Sequence, residues 1–111
     1  MPSVIEAKDR GFTVMVEESK EPCLVVFGAP WCGICRAIEG EVEAFAQEGY
    51  VKTVHVDLDQ CPTVAQKYSE MLRSVPTFFL FKSGRVILTL HGKVTKKELK
   101  DAVLEALEKT K

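Results

Sequence analysis

The sequence predicts an α/β fold in which helices cover both faces of a mixed central β-sheet. Strand-length apolar runs alternate with segments of helical period along most of the chain. The run Cys23–Gly28 is apolar without alternation, which is typical of a strand buried on both faces. Two later strands, at 77–82 and 85–90, are separated only by Ser83-Gly84, a pair that favours a tight hairpin. Strands joined through helices pair in parallel and hairpin strands pair antiparallel, so we expect a mixed sheet.

The first half of the chain supplies two strands and two helices. A short edge strand begins at residues 4–5, and the apolar spacing of residues 9–19 indicates a helix. The strand Cys23–Gly28 comes next. From Cys32 onward apolar residues recur at spacings of three and four, which predicts a helix that ends at Gly49 as its C-cap.

The second half of the chain begins with an alternating strand at 52–58 and a helix at 59–68, with Pro62 in the first turn of that helix. The hairpin follows, and Thr95 with Glu98 forms a capping-box pattern that begins the last helix. The predicted order is β-α-β-α-β-α-β-β-α, with four or five strands and about four helices. We expect residues 1–111 to form one domain, since this length suits a single hydrophobic core.

Composition narrows the classes of function. The chain is 46% apolar and 28% charged with a formal net charge of −1, and its acids and bases are interspersed. This pattern lacks the basic face of a nucleic-acid binder and the polybasic cluster of a membrane-surface binder. The apolar runs fall short of the roughly 18 residues that a membrane span needs, and the start lacks the pattern of a secretory signal. We therefore expect a cytoplasmic monomer.

The predicted reactive cysteines are Cys32 and Cys35, at the junction between a buried strand and a helix. A cysteine at a helix start faces unpaired backbone N–H groups and the positive end of the helix dipole, which stabilise a thiolate. We therefore expect Cys32 to have a lowered pKa and to act as the nucleophile. Cys35, one turn further and expected to be shielded from solvent, would then attack the Cys32 sulfur and release a reduced product.

Zinc binding is the alternative interpretation of a Cys-x-x-Cys pair. A structural zinc site needs four ligands. The remaining candidates show no ligand-pair spacing; they are Cys23, His55, Cys61 and His91. We therefore predict no metal site.

Several segments together make this sequence resemble the thioredoxin family over nearly its whole length. The segments are Ala29-Pro30-Trp31-Cys32-Gly33-Ile34-Cys35, Val75-Pro76-Thr77-Phe78, Phe81-Lys82-Ser83-Gly84 and His91-Gly92. The resemblance implies a thioredoxin fold with Pro76 in a cis peptide bond beside the reactive cysteines. It also implies an apolar docking surface for an extended substrate peptide, formed by Trp31, Ile34, Val75, Pro76 and Gly92.

The activity implied by the resemblance is reduction of protein disulfides through a redox-active Cys32–Cys35 pair. No cofactor is bound in such a protein. Reducing equivalents come from NADPH through a partner of the thioredoxin reductase type. Other hypotheses stay open at this point: a disulfide oxidase or isomerase, and a binding module whose turnover is incidental.

The sequence departs from the family pattern at positions that bear on proton transfer and potential. Val26 stands where thioredoxins bury an aspartate, and His55 matches the lysine that accompanies it. One interpretation gives His55 the proton transfer, because imidazole titrates near neutrality; the other makes it an ordinary strand residue. Ile34 replaces the usual proline and lacks the charge of the histidine found in oxidants of this fold, so we expect a potential near the reducing end of the range.

Cys61 near a helix start is a further candidate. Some family members have a redox-sensitive cysteine at a matching place, which makes Cys61 a possible regulatory thiol. The alternative is that Cys61 packs as a small buried apolar residue. Cys23 begins a buried strand and is expected to be inert.

Overall fold

The computed structural model describes residues 3–111 and contains one mixed five-stranded sheet. The strands are β1 (Val4–Glu6), β2 (Cys23–Gly28), β3 (Lys52–Asp57), β4 (Thr77–Lys82) and β5 (Arg85–His91). Their order across the sheet is β1-β3-β2-β4-β5. β3 pairs in parallel with β1 and β2, whereas β4 pairs antiparallel with β2 and β5. The predicted α/β class and mixed sheet are confirmed.

The helical segments lie between and after these strands. They are α1 (Gly33–Ala37), α2 (Glu39–Gln47), α3 (Pro62–Lys67) and α4 (Lys96–Lys109), preceded by a 3-10 turn at Asp9–Gly11 and a π-helical turn at Thr13–Glu17. Within residues 3–111, no helix has the length and apolar character needed to cross a membrane.

The central strand β2 is buried along its entire length, as the unbroken apolar run predicts. Its alternate side chains enter two separate cores. One core packs the π-helical turn and α3 against the sheet and includes Val25, Phe27, Phe79 and Phe81. The other packs α2 and α4 against the opposite face and includes Leu24, Val26, Phe78 and Leu80. Burial on both sides fixes the end of β2, where the reactive cysteines follow.

The helix expected over residues 9–19 is replaced by the 3-10 and π-helical turns. Phe12 and Val16 are buried, so the predicted apolar face is kept. The carboxylate of Asp9 accepts hydrogen bonds from the N–H groups of Thr63 and Val64 at 3.1 and 3.0 Å, which anchors this segment to the start of α3. The segment contains a glycine and several β-branched residues, so these tertiary contacts outweigh its weak α-helical propensity.

Two other helix boundaries differ from expectation. The helix expected from Cys32 to Gly49 is interrupted at Ile38, whose φ of −98° and ψ of 1° leave the helical region while its side chain enters the core. The helix expected from residue 59 begins at Pro62 instead. The cause is local, because a residue that precedes proline is disfavoured in the helical region, and Cys61 has an extended φ of −125°.

Two short sequence patterns form the predicted structures. Ser83 and Gly84 have φ values of 53° and 79°, the two left-handed residues that a tight hairpin between β4 and β5 requires. The Thr95 side chain accepts from Glu98 N, and the Glu98 carboxylate accepts from Thr95 N, which completes the capping box of α4.

Candidate active site

Cys32 is the N-cap of α1, four residues after the end of β2. Its φ of −92° and ψ of 110° are extended, and its Sγ accepts a hydrogen bond from Cys35 N at 3.2 Å. Cys32 N donates to Ala29 O at 3.1 Å, which ties the connecting loop to the strand end. The sulfur thus satisfies a donor that the helix start leaves without a backbone partner.

The surroundings of Cys32 lower its pKa. The largest cause is the hydrogen bond from the Cys35 thiol; desolvation acts in the opposite direction. Backbone N–H groups of Cys35 and Ile34 and the positive charge of Arg36 add to the lowering. The guanidinium of Arg36 is held in place by the carbonyl of Pro30. These contacts favour the thiolate, the form that attacks disulfides.

Cys35 has the opposite pKa shift. Burial raises its pKa to about 11, and the hydrogen bond with Cys32 adds to the effect. A thiol with this pKa keeps its proton at neutral pH, so it becomes a nucleophile only when a base removes that proton. All four cysteines lie within the described residues and are free thiols.

Cys35, which was expected to be shielded from solvent, is shielded only in part. Cys32 is the residue with little accessible surface, at 7% exposed, whereas Cys35 is partly accessible. The reason is a cavity of about 750 Å³ between the sheet and the helices α1 and α2, which Cys35 lines. Its other walls include Val4, Glu6, Val26, Gly28, Arg36, Ile38, Glu39, Val42, Glu43, His55 and Asp57.

Gly28, the last residue of β2, keeps open the space between two polar side chains. A β-carbon placed on Gly28 would lie 3.3 Å from Cys35 Sγ and 3.3 Å from His55 Nε2. Both atoms therefore face the same small volume above the Gly28 backbone. Any larger residue at this position would separate them.

His55 lies on β3 beside Val26 of β2, the position at which the resemblance implies a buried aspartate. Val26 is 5% exposed and apolar, so it supplies no carboxylate near Cys35. The His55 ring is fixed from its other side, because Nδ1 lies 2.8 and 2.9 Å from the two carboxylate oxygens of Glu6. Glu6 and His55 are paired residues of the parallel strands β1 and β3.

The peptide bond between Val75 and Pro76 is cis, as the resemblance implies. Val75 O lies 3.7 Å from Cys32 Sγ, and Gly92 N donates to Pro76 O at 2.9 Å, so the cysteine loop, Pro76 and Gly92 are adjacent. Trp31 is 68% exposed and Ile34 is 48% exposed. Two exposed apolar side chains therefore flank Cys32 on the accessible side of the site.

The other two cysteines are fully buried. Burial raises the pKa of Cys23 to about 11 and is the largest cause of the raised pKa of Cys61. The Cys61 thiol donates to Ala7 O at 3.7 Å within one of the two cores. This placement matches the structural interpretation of Cys61 and gives an external oxidant no accessible surface on the sulfur.

Zinc binding is the alternative to disulfide exchange as a function for Cys32 and Cys35. Within residues 3–111, no group of three or more His, Cys, Asp or Glu side chains is arranged to hold a metal ion. His91 lies 3.2 Å from Thr77 Oγ1, in a contact between neighbouring strands.

Sequence reasoning missed three contributors to the site. The contribution of Arg36 could have been predicted from the sequence, since Arg36 follows Cys35 directly and a cation beside a thiol favours the thiolate. The contribution of Glu6 could not, because its contact with His55 depends on the register of β1 against β3. From the sequence, Gly28 is only the last residue of a strand. The space that its missing side chain leaves between Cys35 and His55 depends on the three-dimensional arrangement of β2, β3 and α1.

Two thiols one helical turn apart, with pKa values moved in opposite directions, are suited to exchange bonds with a third sulfur. The class of protein that this site and fold define is the thiol–disulfide oxidoreductases. The family model for thioredoxin matches residues 3–105, and the chain belongs to the thioredoxin family.

Several curated relatives cover most of the chain. The thioredoxin of Porphyra purpurea is 39% identical over 103 residues, which are 91% of this chain and 94% of that protein. Thioredoxin 1 of Synechococcus elongatus is 43% identical over 93 residues, 82% of this chain and 85% of that protein. An M-type chloroplastic thioredoxin of Triticum aestivum is 38% identical over 98 residues, 86% of this chain and 55% of that protein.

Proposed function

We propose that this chain reduces disulfide bonds in proteins, with Cys32 as the nucleophile and Cys35 as the resolving thiol. The observation that carries this assignment is the opposite direction of their pKa shifts. Cys32 caps α1 and its pKa is lowered, whereas the pKa of Cys35 is raised to about 11. Cys32 is therefore the more acidic of the two thiols and the one that more readily forms the attacking thiolate.

The reaction has two exchanges. The Cys32 thiolate attacks one sulfur of the substrate disulfide; a Cys32–substrate bond forms and the other substrate sulfur leaves as a thiolate. Cys35 then loses its proton and attacks Cys32 Sγ, which forms the Cys32–Cys35 disulfide and releases the second substrate thiolate. The substrate gains two electrons and the protein loses two. The second exchange is intramolecular, which supplies a large effective concentration.

The substrate is a segment of protein chain in an extended conformation. Trp31, Ile34, Val75, Pro76 and Gly92 form its docking surface. The exposed side chains of Trp31 and Ile34 offer apolar contact on either side of Cys32. The backbone of Val75 lies beside Cys32 Sγ, where an extended peptide pairs with it as an added strand.

The oxidised pair is returned to the dithiol by a partner of the thioredoxin reductase type, which holds the NADPH. In this scheme the protein itself binds no cofactor and works as a monomer of one domain. A reducing compartment, the cytoplasm, is the proposed site of action. The support is the use of the cysteines: two form the reactive Cys-x-x-Cys pair, and the other two, Cys23 and Cys61, pack as buried residues of one core.

The reduction potential is proposed to lie near the reducing end of the range that runs from about −270 mV for thioredoxin to about −120 mV for DsbA. Ile34 carries no charge that would stabilise the thiolate further and shift the protein toward an oxidant. Equilibration with glutathione buffers of known ratio measures this potential. A value near that of DsbA would instead support an oxidase or isomerase.

Insulin reduction tests the function as a whole. Turnover is expected with dithiothreitol as donor and also with NADPH and a thioredoxin reductase. Cys32→Ser should abolish turnover, whereas Cys35→Ser should form a mixed disulfide with insulin that does not resolve, detectable by mass spectrometry. Cys23→Ala is the matched control and should keep full turnover. Absence of turnover with both donors would contradict the proposal and would favour a binding module.

A further inference from the structure

The resolving thiol lacks an obvious base. Burial is the largest cause of the raised pKa of Cys35 and persists when Cys32 is joined to a substrate sulfur, so the second exchange requires that the Cys35 proton be removed. The residue on the adjacent strand that the family pattern would supply as a carboxylate is the apolar Val26. A group that accepts this proton must therefore come from elsewhere around the cavity that Cys35 lines.

We propose that His55 accepts the proton of Cys35 across the opening above Gly28, and that Glu6 is the positioning residue that holds His55 in the required tautomer and orientation. This inference rests on the proposed function and deepens it. It names the group that accepts the Cys35 proton, which the exchange of sulfur bonds alone does not identify. It also gives a role to the cavity behind the reactive cysteines.

The hydrogen bond to Glu6 determines which ring nitrogen of His55 is free. An ionised carboxylate only accepts hydrogen bonds, so the Nδ1 that lies 2.8 Å from Glu6 Oε1 carries a proton and donates it. In the neutral ring the other nitrogen, Nε2, then has an unshared electron pair. The contact with Glu6 thus leaves His55 Nε2, on the side that faces Cys35, as the basic nitrogen of the ring.

The position of Gly28 places Nε2 and the thiol at the edge of the same opening. Cys35 Sγ and His55 Nε2 are each 3.3 Å from the point where a Gly28 β-carbon would sit. That point is free because the residue is glycine. In the proposed step, one water molecule in the opening would bridge the two atoms and pass the proton between them.

The proposed step balances with the groups already described. The Cys35 proton moves to His55 Nε2, the Cys35 sulfur attacks Cys32 Sγ, and the bond between Cys32 and the substrate sulfur breaks. That sulfur leaves with the bonding electron pair. The imidazolium returns its proton to the leaving thiolate or to solvent, so His55 is neutral again before the next turnover.

Several charged groups line the cavity that His55 also lines. Glu6 comes from β1, Asp57 from β3 itself, Arg36 from α1, and Glu39 and Glu43 from α2. Glu39 lines the same cavity and is not among the hydrogen-bond partners of His55. Glu39→Gln therefore removes one negative charge from the same rim and leaves the Glu6–His55 contact intact, which makes it the matched control for Glu6→Gln.

A single-turnover assay isolates the step. The full chain is loaded at Cys32 with a chromogenic aromatic thiol as a mixed disulfide, and release of that thiol reports attack by Cys35. At neutral pH, His55→Gln should slow release about a hundredfold, the lower end of the range for general base catalysis. At alkaline pH, where Cys35 ionises unaided, its rate should converge with that of the wild type. Alkylation of Cys32 by iodoacetamide should be unchanged, because the first exchange does not use His55.

Glu6→Gln should slow release in the same direction as His55→Gln by a smaller factor, and Glu39→Gln should follow the wild-type profile. Superimposable profiles for wild type and His55→Gln would overturn the inference. An equal effect of Glu6→Gln and Glu39→Gln would overturn the positioning role of Glu6. Should His55→Gln fail to fold by circular dichroism, Glu6→Gln carries the same test. A wild-type protein that releases no thiol would refute the proposed function itself, which is a different result.

Discussion

Gly28→Ala is the substitution whose effect follows most directly from the geometry of the site. The added methyl group lies 3.3 Å from Cys35 Sγ and 3.3 Å from His55 Nε2, so both side chains must move by a few tenths of an ångström. Overpacking of this kind costs about 1–3 kcal/mol. Replacing a glycine restricts the unfolded chain and returns about 0.4–1 kcal/mol. We expect a net loss of about 1–2 kcal/mol of unfolding free energy.

The same methyl group closes the opening between the thiol and the imidazole. Release of a thiol from a mixed disulfide on Cys32 should therefore slow in Gly28→Ala, while alkylation of Cys32 should not change. Urea unfolding measures the stability, and the single-turnover assay measures the rate. Gly40→Ala is the matched control, since Gly40 lines the same cavity and a β-carbon there meets nothing within 4 Å.

Gly40 lies in α2, so the unfolding free energy of Gly40→Ala should rise by up to about 1 kcal/mol because alanine has the higher helix propensity. Its rate of thiol release should equal that of wild type. Release of the thiol from Gly28→Ala at the wild-type rate would contradict the role of the Gly28 opening in proton transfer; this prediction depends on the opening. Equal slowing in both glycine variants would also contradict that role, because the effect would then belong to the volume of the cavity rather than to the space above Gly28.

Three other predictions concern stability and potential. Thr95→Ala should cost about 1 kcal/mol in urea unfolding through loss of the α4 cap, whereas Glu98→Gln should change little, because glutamine also completes a capping box. Burial raises the pKa of Glu17, but hydrogen bonds from Lys67, Tyr68 and Thr13 outweigh burial and leave the pKa lowered. Wild type should therefore be more stable than Glu17→Gln, with the full difference in unfolding free energy above the ordinary glutamate pKa of about 4.3. This difference should vanish as the pH falls through the lowered pKa. Ile34→His should raise the potential measured against glutathione by about 30 mV for each unit by which it lowers the pKa of Cys32; an unchanged potential would contradict this.

Local patterns were enough to predict the parts of the fold and site that depend on a few consecutive residues. The strand-to-helix junction at Cys32 is one such part, because the buried run before it and the helical period after it are both visible in the sequence. The hairpin at Ser83-Gly84 and the capping box at Thr95 are others. In each case the conformation is determined by residues within one turn of each other.

The parts that escaped prediction depend on contacts between distant segments. The pair of Glu6 and His55 forms only because β1 lies beside β3 in a particular register. The helix expected at 9–19 gave way because Asp9 is fixed to the start of α3, more than fifty residues later. No proline or glycine at residue 38 predicts the interruption there; the nearest glycine, Gly40, lies two residues further on, inside α2.

The pKa of Cys32 is the quantity on which the account depends most directly. The rate at which iodoacetamide alkylates Cys32 as a function of pH measures this pKa, with the modified residue identified by mass spectrometry. We predict a single inflection below the ordinary cysteine value of about 8.5, because the Cys35 thiol, the backbone N–H groups of α1 and Arg36 all favour the thiolate. An inflection at or above that value would contradict the account.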